Sequence, residues 1–298
     1  MWYSNFCELH ELEKSKRLIR VIRRNSCYKI LIMKIFNRTA LFFLIIIFFT
    51  SFSNHTKKDD WKLVWSDEFN YSGLPDSTKW NYDVGGDGWG NNELEYYTKK
   101  NWQNARVMNG NLIIELRKEK MDNRNYTSAR LITKGKGDWK YGKIEVRAKL
   151  PKGLGTWPAI WMLGSTTPLK WPDDGEIDIM EHVGFDPGVI HGSVHCKKYN
   201  HVIHTQKTAI TTVKDCMENF HVYGLEWDEK SITIYVDDNK YFSFTNEHTG
   251  YDAWPFSQPM HLLLNVAFGG NWGAAKGIDD SNLPQQMLVD YVRVYQKK

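Results

Sequence analysis

Hydrophobic and polar positions alternate with a period of two along much of the chain. From Lys143 to Leu150, the residues Ile144, Val146, Ala148 and Leu150 share one face and charged residues take the other. Ser231–Val236 repeats the alternation, and His261–Phe268 and Val289–Tyr295 follow it less strictly. Trp61, Leu63 and Trp65 alternate up to Asp67, and Leu112–Leu116 is a short apolar run after an Asn109-Gly110-Asn111 turn. Successive side chains of a strand point to opposite faces, so each stretch predicts a strand. Turn clusters such as Gly85-Gly86-Asp87-Gly88 and Asp237-Asp238-Asn239 punctuate them. No segment carries a convincing helical period, and no repeat or low-complexity tract is present. Many short strands between turns predict an all-β sandwich or jelly roll, with residues 61–298 as one domain.

Residues 1–53 differ from the rest. Ala40–Phe49 is an apolar run shorter than the roughly 20 residues that a membrane span needs. It fits the core of a secretory signal, with Ser51 and Ser53 as small residues before a cleavage point. Met33-Lys34-Ile35-Phe36-Asn37-Arg38 followed by that run is a complete signal peptide by itself. Translation is therefore expected to start at Met33, with residues 1–32 a misassigned extension and 54–60 a polar linker. The expected location is secreted, periplasmic or cell-envelope, with no stable membrane partner after cleavage. A signal anchor at residues 40–52 is the alternative.

The leader also explains the charge. The whole chain carries a net +4, but residues 1–53 hold nine Lys/Arg against three Asp/Glu. What remains is 30 basic against 32 acidic residues, which excludes a nucleic-acid footprint. Of the four cysteines, Cys196 and Cys216 lie beyond the leader. In an exported protein they could close a loop of about 20 residues, worth on the order of 3 kcal/mol. Two unpaired buried thiols are the other reading. Their spacing, with His195, His201 and His204 nearby, matches no zinc pattern.

Candidate chemistry concentrates in Glu176-Ile177-Asp178-Ile179-Met180-Glu181. Apolar spacers mark a buried or half-buried strand rather than a solvated charge run. Alternation puts Glu176 and Asp178 on one face and Glu181 on the other; one residue bulging near Ile179-Met180 returns Glu181 to the acidic face. Crowded carboxyls raise at least one pKa, which lets one act as an acid while its neighbour is a nucleophile or base. Glycoside hydrolysis needs that division. The bland alternative is an edge strand with a solvated acidic face. Aromatic residues weigh against it: of 13 Trp, 12 follow the leader. Trp89, Trp157, Trp171 and Trp254 adjoin Gly or Pro, in strand-end contexts where an indole can face a groove and stack on a sugar.

The segments Val64–Asn70, Gly88–Thr98, Tyr126–Arg130, Trp139–Gly142, Thr156–Trp161, Glu176–Glu181, Phe220–Tyr223 and Val289–Tyr295 together resemble, in order, the laminarinase-type (endo-β-1,3-glucanase) branch of glycoside hydrolase family sixteen. The resemblance implies a β-jelly-roll sandwich (concanavalin A-like) with a curved cleft, acting on β-1,3-glucan with retention. By its match, Glu176 is the nucleophile, Glu181 the acid/base, and Asp178 the hydrogen-bonding neighbour that tunes the nucleophile. Met180 marks the laminarinase-type motif. The resemblance places Asn92, Arg130, Trp157, Trp161, Trp171, His195 and Trp272 on the substrate. It implies no cofactor for catalysis, but a structural calcium held by Glu68, the Gly110 carbonyl and Asp290. It also implies a monomer with a β-glucan polysaccharide as its partner. Glu95 stands where the family often has Gln, and the Cys196–Cys216 segment follows no family pattern. Mixed-linkage β-1,3-1,4-glucan or an algal galactan as substrate, transglycosylation, and a non-catalytic glucan-binding module remain alternatives.

Overall fold

The alternating segments form eighteen strands among the described residues, 60–298, of the computed structural model. In chain order they are β1 (Trp61–Asp67), β2 (Asn81–Asp83), β3 (Glu95–Tyr97), β4 (Ala105–Met108), β5 (Asn111–Met121), β6 (Arg124–Ser128), β7 (Arg130–Ile132), β8 (Asp138–Trp139), β9 (Gly142–Lys149), β10 (Thr156–Gly164), β11 (Glu176–Glu181), β12 (Val189–His195), β13 (Lys207–Thr212), β14 (His221–Trp227), β15 (Ser231–Val236), β16 (Asn239–Thr245), β17 (Met260–Phe268) and β18 (Gln285–Lys297). A 3-10 turn, His201–Ile203, and a four-residue helix α1, Gly270–Gly273, are the helices among the described residues. Asp60–Lys298 packs as one unit. The expected leader, start codon and linker before Asp60 lie outside the described residues.

Two sheets face each other. One runs β16-β15-β14-β9-β18-β5-β6-β3, with β1 on β18 and β4 on β5; the other runs β13-β12-β11-β10-β17-β7-β2, with β8 on β17. Strand β9 shows why they stack: Ile144, Val146 and Ala148 are buried while Lys143, Glu145, Arg147 and Lys149 keep partial exposure. Its apolar face meets Ile160 and Met162 of β10 and Ile177, Ile179 and Met180 of β11 in one contiguous core. Burying each such side chain contributes roughly 1.5–3 kcal/mol, which sets the facing of every strand. Strand β17 is buried at all nine positions, because it lies mid-sheet between β10 and β7.

The indoles divide between core and cleft. Trp80 donates to Asp67 at 2.9 Å and Trp227 to the Phe256 carbonyl at 3.0 Å, so these buried rings satisfy their N–H groups inside. Trp254, expected at a groove, is instead buried and stacks on Phe244 at 5.4 Å. Cys196 and Cys216 are separate buried thiols and form no disulfide. Burial pushes both up, Cys216 to about 11, so neither is a thiolate at neutral pH. Behind the far end of β11, Gly184 packs so closely on Gly153 that a Cβ would lie 1.8 Å from the carbonyl oxygen.

Candidate active site

Strand β11 carries the site, and its neighbours show how. Against β10, Asp178 pairs with Trp161 and Met180 with Ile160, leaving Ile179 without a partner. Against β12, Asp178 pairs with Ser193 and Glu181 with His191, so three steps on β11 match two on β12. This is the expected bulge. Ile177, Ile179 and Met180 are all fully buried, so two consecutive side chains point into the core and the alternation shifts phase. Glu176 and Glu181 therefore line the same cleft.

The cleft has a volume of about 440 Å³. Paired residues cross the sheet beneath it. Thr208 of β13 opposes Ser193 of β12, which opposes Asp178, which opposes Trp161 of β10. Further along, Asn265 of β17 opposes Arg130 of β7, which opposes Asp83 of β2. Asp178 is the acid that β11 contributes to this row.

Each carboxyl has a different environment. The Trp171 indole N–H donates to Glu176. Asp178 is buried and meets Nε2 of His195 at 3.2 Å. Burial, and then the neighbouring Glu176 charge, push Asp178 well above the usual carboxylate range. Glu181 accepts from Trp157 Nε1 at 3.0 Å. Burial raises Glu181 most, the charges of Asp178 and Glu176 raise it further, and His195 and the Trp157 N–H pull the other way. The balance leaves Glu181 well above an ordinary glutamate. A glutamate raised in this way keeps its proton to higher pH than an ordinary one, which acid catalysis needs.

The expected contacts fall into three groups. Trp157, His195 and Trp272 line the cleft beside the carboxyls; Trp272 packs edge-on against Trp157 at 5.4 Å and His191 at 4.8 Å. Trp171 stands at the rim, 5.1 Å from the His201 ring. Arg130 and Trp161 are not among the residues that line this cleft. The Arg130 guanidinium lies 4.6 Å from both the Trp89 and Trp161 rings and pairs with Asp83 at 3.0 Å, while Trp161 donates to Asn265 at 2.7 Å. Asn92 is exposed and donates to Asn271 at 2.8 Å; its neighbour Asn91 is the cleft-lining member of the pair. Residues overlooked in the sequence include His191, Ser193, His201, Gln206, Thr208 and Asn271. The period-two row His191, Ser193, His195 was a usable signal for two of them. Exposed turns carry no such period, so His201 and Gln206 gave none.

The calcium set does not form as expected. Both Glu68 oxygens accept from Arg293, at 3.0 and 2.8 Å, and Asp290 pairs with Arg147 at 2.6 Å. A hard cation needs carboxylate oxygens that no guanidinium already holds. Elsewhere among the described residues, Glu176, Asp178 and His195 bring ligand atoms within 4.8 Å of one another. The same side chains take part in the Trp171–Glu176 and Asp178–His195 contacts.

A jelly roll whose concave sheet sets paired acids in an indole-lined cleft is the frame of a glycan-cleaving hydrolase. The family model for glycosyl hydrolases family 16 matches residues 92–293, and the chain belongs to that family. A β-glucanase of Rhodothermus marinus is 52% identical over 88% of this chain and 95% of its own length. The solved laminarinase of Rhodothermus marinus superposes with a TM-score of 0.78 at 54% identity, covering 80% of this chain and 98% of its own. A non-specific endo-β-1,3(4)-glucanase of the same family superposes with a TM-score of 0.78 at 52% identity, covering 80% of this chain and 92% of its own. Glycosidases of this family need no catalytic cofactor.

The raised carboxyls have a consequence for stability. A carboxyl raised in the folded state contributes stability fully below its unfolded value and loses it as pH climbs toward the folded value. Glu181→Gln keeps an acceptor for Trp157 without a proton to lose. It is expected to melt several degrees above the wild type at neutral pH, and the gap should close as pH falls to about 4. Thermal melts across pH check this; a variant that melts lower at neutral pH contradicts it.

Proposed function

We propose that the chain is an exported, retaining endo-β-1,3-glucanase. The observation that carries this reading is the phase shift in β11, which turns Glu176 and Glu181 toward one cleft, with the Glu181 carboxyl held well above the usual range by burial. In this mechanism the Glu176 carboxylate attacks the anomeric carbon, and Glu181 gives its proton to the departing glycosidic oxygen. Glu181 then takes a proton from water, whose oxygen releases the sugar from Glu176. Asp178, protonated beside Glu176, supports it by a hydrogen bond and is oriented by His195. Trp157 has two tasks: its N–H steadies the Glu181 carboxylate after proton transfer, and its ring forms cleft wall with Trp272. Trp171 fixes Glu176 at the other rim.

The substrate assignment rests on the Rhodothermus relatives, whose names are β-glucanase and laminarinase. A second reading has its own support. The non-specific β-1,3(4)-glucanase is as similar in fold as the laminarinase, so acceptance of mixed-linkage β-1,3-1,4-glucan belongs in the proposal. The leader supports export through a signal peptide starting at Met33.

The purified protein is expected to release reducing sugar from laminarin and, more slowly, from lichenan. Glu176→Ser should abolish release while still binding laminarin, and Glu181→Gln should lower kcat by about 10²- to 10⁴-fold. The alkaline limb of kcat/KM reports loss of the Glu181 proton, so Trp157→Phe, which removes a donor favouring the carboxylate, should move that limb upward. Binding of laminarin without cleavage by the wild type would make the chain a binding module. N-terminal sequencing should give Met33 in the precursor and Asn54 in the exported form; a precursor beginning at Met1 refutes the start assignment.

A further inference from the structure

Glu95 is a buried acid that the proposed chemistry does not use. Its carboxyl is fully enclosed. One oxygen, Oε2, accepts from the Phe268 amide at 2.7 Å, and the other, Oε1, meets no donor. The Glu93 carboxyl, also buried, lies within hydrogen-bonding reach of it. Glu93 is already an acceptor twice over: its Oε2 takes the Tyr97 hydroxyl at 3.0 Å and its Oε1 the Asn91 amide at 3.4 Å. Two adjoining buried carboxyls do not both ionise. The other groups around the pair are Tyr97 on the same strand and, beyond it, Arg130 of β7, whose charge Asp83 takes. Strand β17 presents the Phe268 amide and the neutral Asn265.

The two acids connect to both surfaces of the cleft. Phe268 leads directly into α1, which carries Asn271 and Trp272. Leu94 donates to the Phe268 carbonyl at 2.9 Å, and the Asn271 amide donates to the Asn91 carbonyl at 2.7 Å, so the 91–95 segment and the 268–272 segment form one wall. Toward the floor, Tyr97 accepts from Asn265 at 3.0 Å, and Asn265 accepts from Trp161 at 2.7 Å. Trp161 in turn stacks on Arg130.

We propose that Glu95 is a positioning residue: as a neutral acid it donates to Glu93 and accepts from Phe268, fixing the wall that holds Asn91 and Trp272 and the floor built on Asn265 and Trp161. Losing that proton places two negative charges in one enclosed space and releases both. Burial first, and then the Glu93 charge, hold Glu95 well above its ordinary value, so the release comes as pH climbs past the usual carboxylate range. Glutamine can make both contacts without a proton to lose. The inference rests on the glucanase reading for its kinetic test but not for its stability test.

The experiment compares wild type with Glu95→Gln and Glu95→Ala in the full chain, from mildly acidic to mildly alkaline pH. Wild-type KM for laminarin should rise by about tenfold at the alkaline end with kcat changing less, since the lost contacts are to bound sugar. Glu95→Gln should hold KM flat, and Glu95→Ala should show the raised KM at every pH. Melting supplies the second arm. A raised acid contributes its stability below the ordinary value and loses it as pH climbs, so the wild-type melting temperature should fall relative to Glu95→Gln as pH rises. Superimposed KM profiles for wild type and Glu95→Gln, or parallel melting curves against pH, overturn the assignment. If wild type never cuts laminarin, the glucanase reading fails while the melting comparison still decides the role of Glu95.

Discussion

Two consecutive apolar side chains, Ile179 and Met180, both turn into the core of the sandwich, and the cleft exists because they do. A regular strand would send Glu181 inward and leave it unpaired in the core. Burying an isolated carboxylate costs several kcal/mol, and the two apolar side chains contribute roughly 1.5–3 kcal/mol each, so both effects select the bulge. The neighbouring strands accommodate it in their register on both sides, at Ile160–Trp161 and between His191 and Ser193. Packing of the apolar residues thus fixes the directions of the acids.

Given those directions, environment separates their proton affinities. Asp178 lies inside the sheet surface and Glu181 against a wall of Trp157 and His191, so desolvation dominates both. Hydrogen bonds from indoles act at the two ends, Trp171 on Glu176 and Trp157 on Glu181. The Trp157 ring that shapes the groove for a sugar therefore also favours the carboxylate form of Glu181 beside it, against the larger effect of burial. The buried Glu93–Glu95 pair extends this arrangement to the wall and floor, by linking a carboxyl proton to the placement of Trp272 and Trp161.

Much of this was legible in the residues. The alternation in Lys143–Leu150 gave β9, and the apolar spacers of Glu176–Glu181 gave both the strand and its bulge, because burial imposes a period that a bulge must break. The ordered family segments gave the fold. Contacts made across the sheet were harder to read. Nothing local distinguishes Asn91 from Asn92, and only the pairing of the 88–98 segment with α1 turns one toward the cleft. Trp254 adjoins a proline as Trp157 does, yet it packs on Phe244 because its segment folds over the core. Glu68 and Asp290 looked like cation ligands, but Arg293 of β18 and Arg147 of β9, distant from them or on another strand, reach them only after folding.

The stereochemistry of the first product tests the bulge most directly. Carboxyls that flank the sugar at about 5–5.5 Å give retention, whereas a separation of about 6.5–9.5 Å admits a water and gives inversion. Proton NMR of laminarin in the first minutes of cleavage distinguishes the anomers before they equilibrate. The account predicts that the β anomer appears first and the α anomer grows in later by mutarotation. An initial α product would contradict it, because Glu176 and Glu181 would then be too far apart for the phase-shifted strand described here.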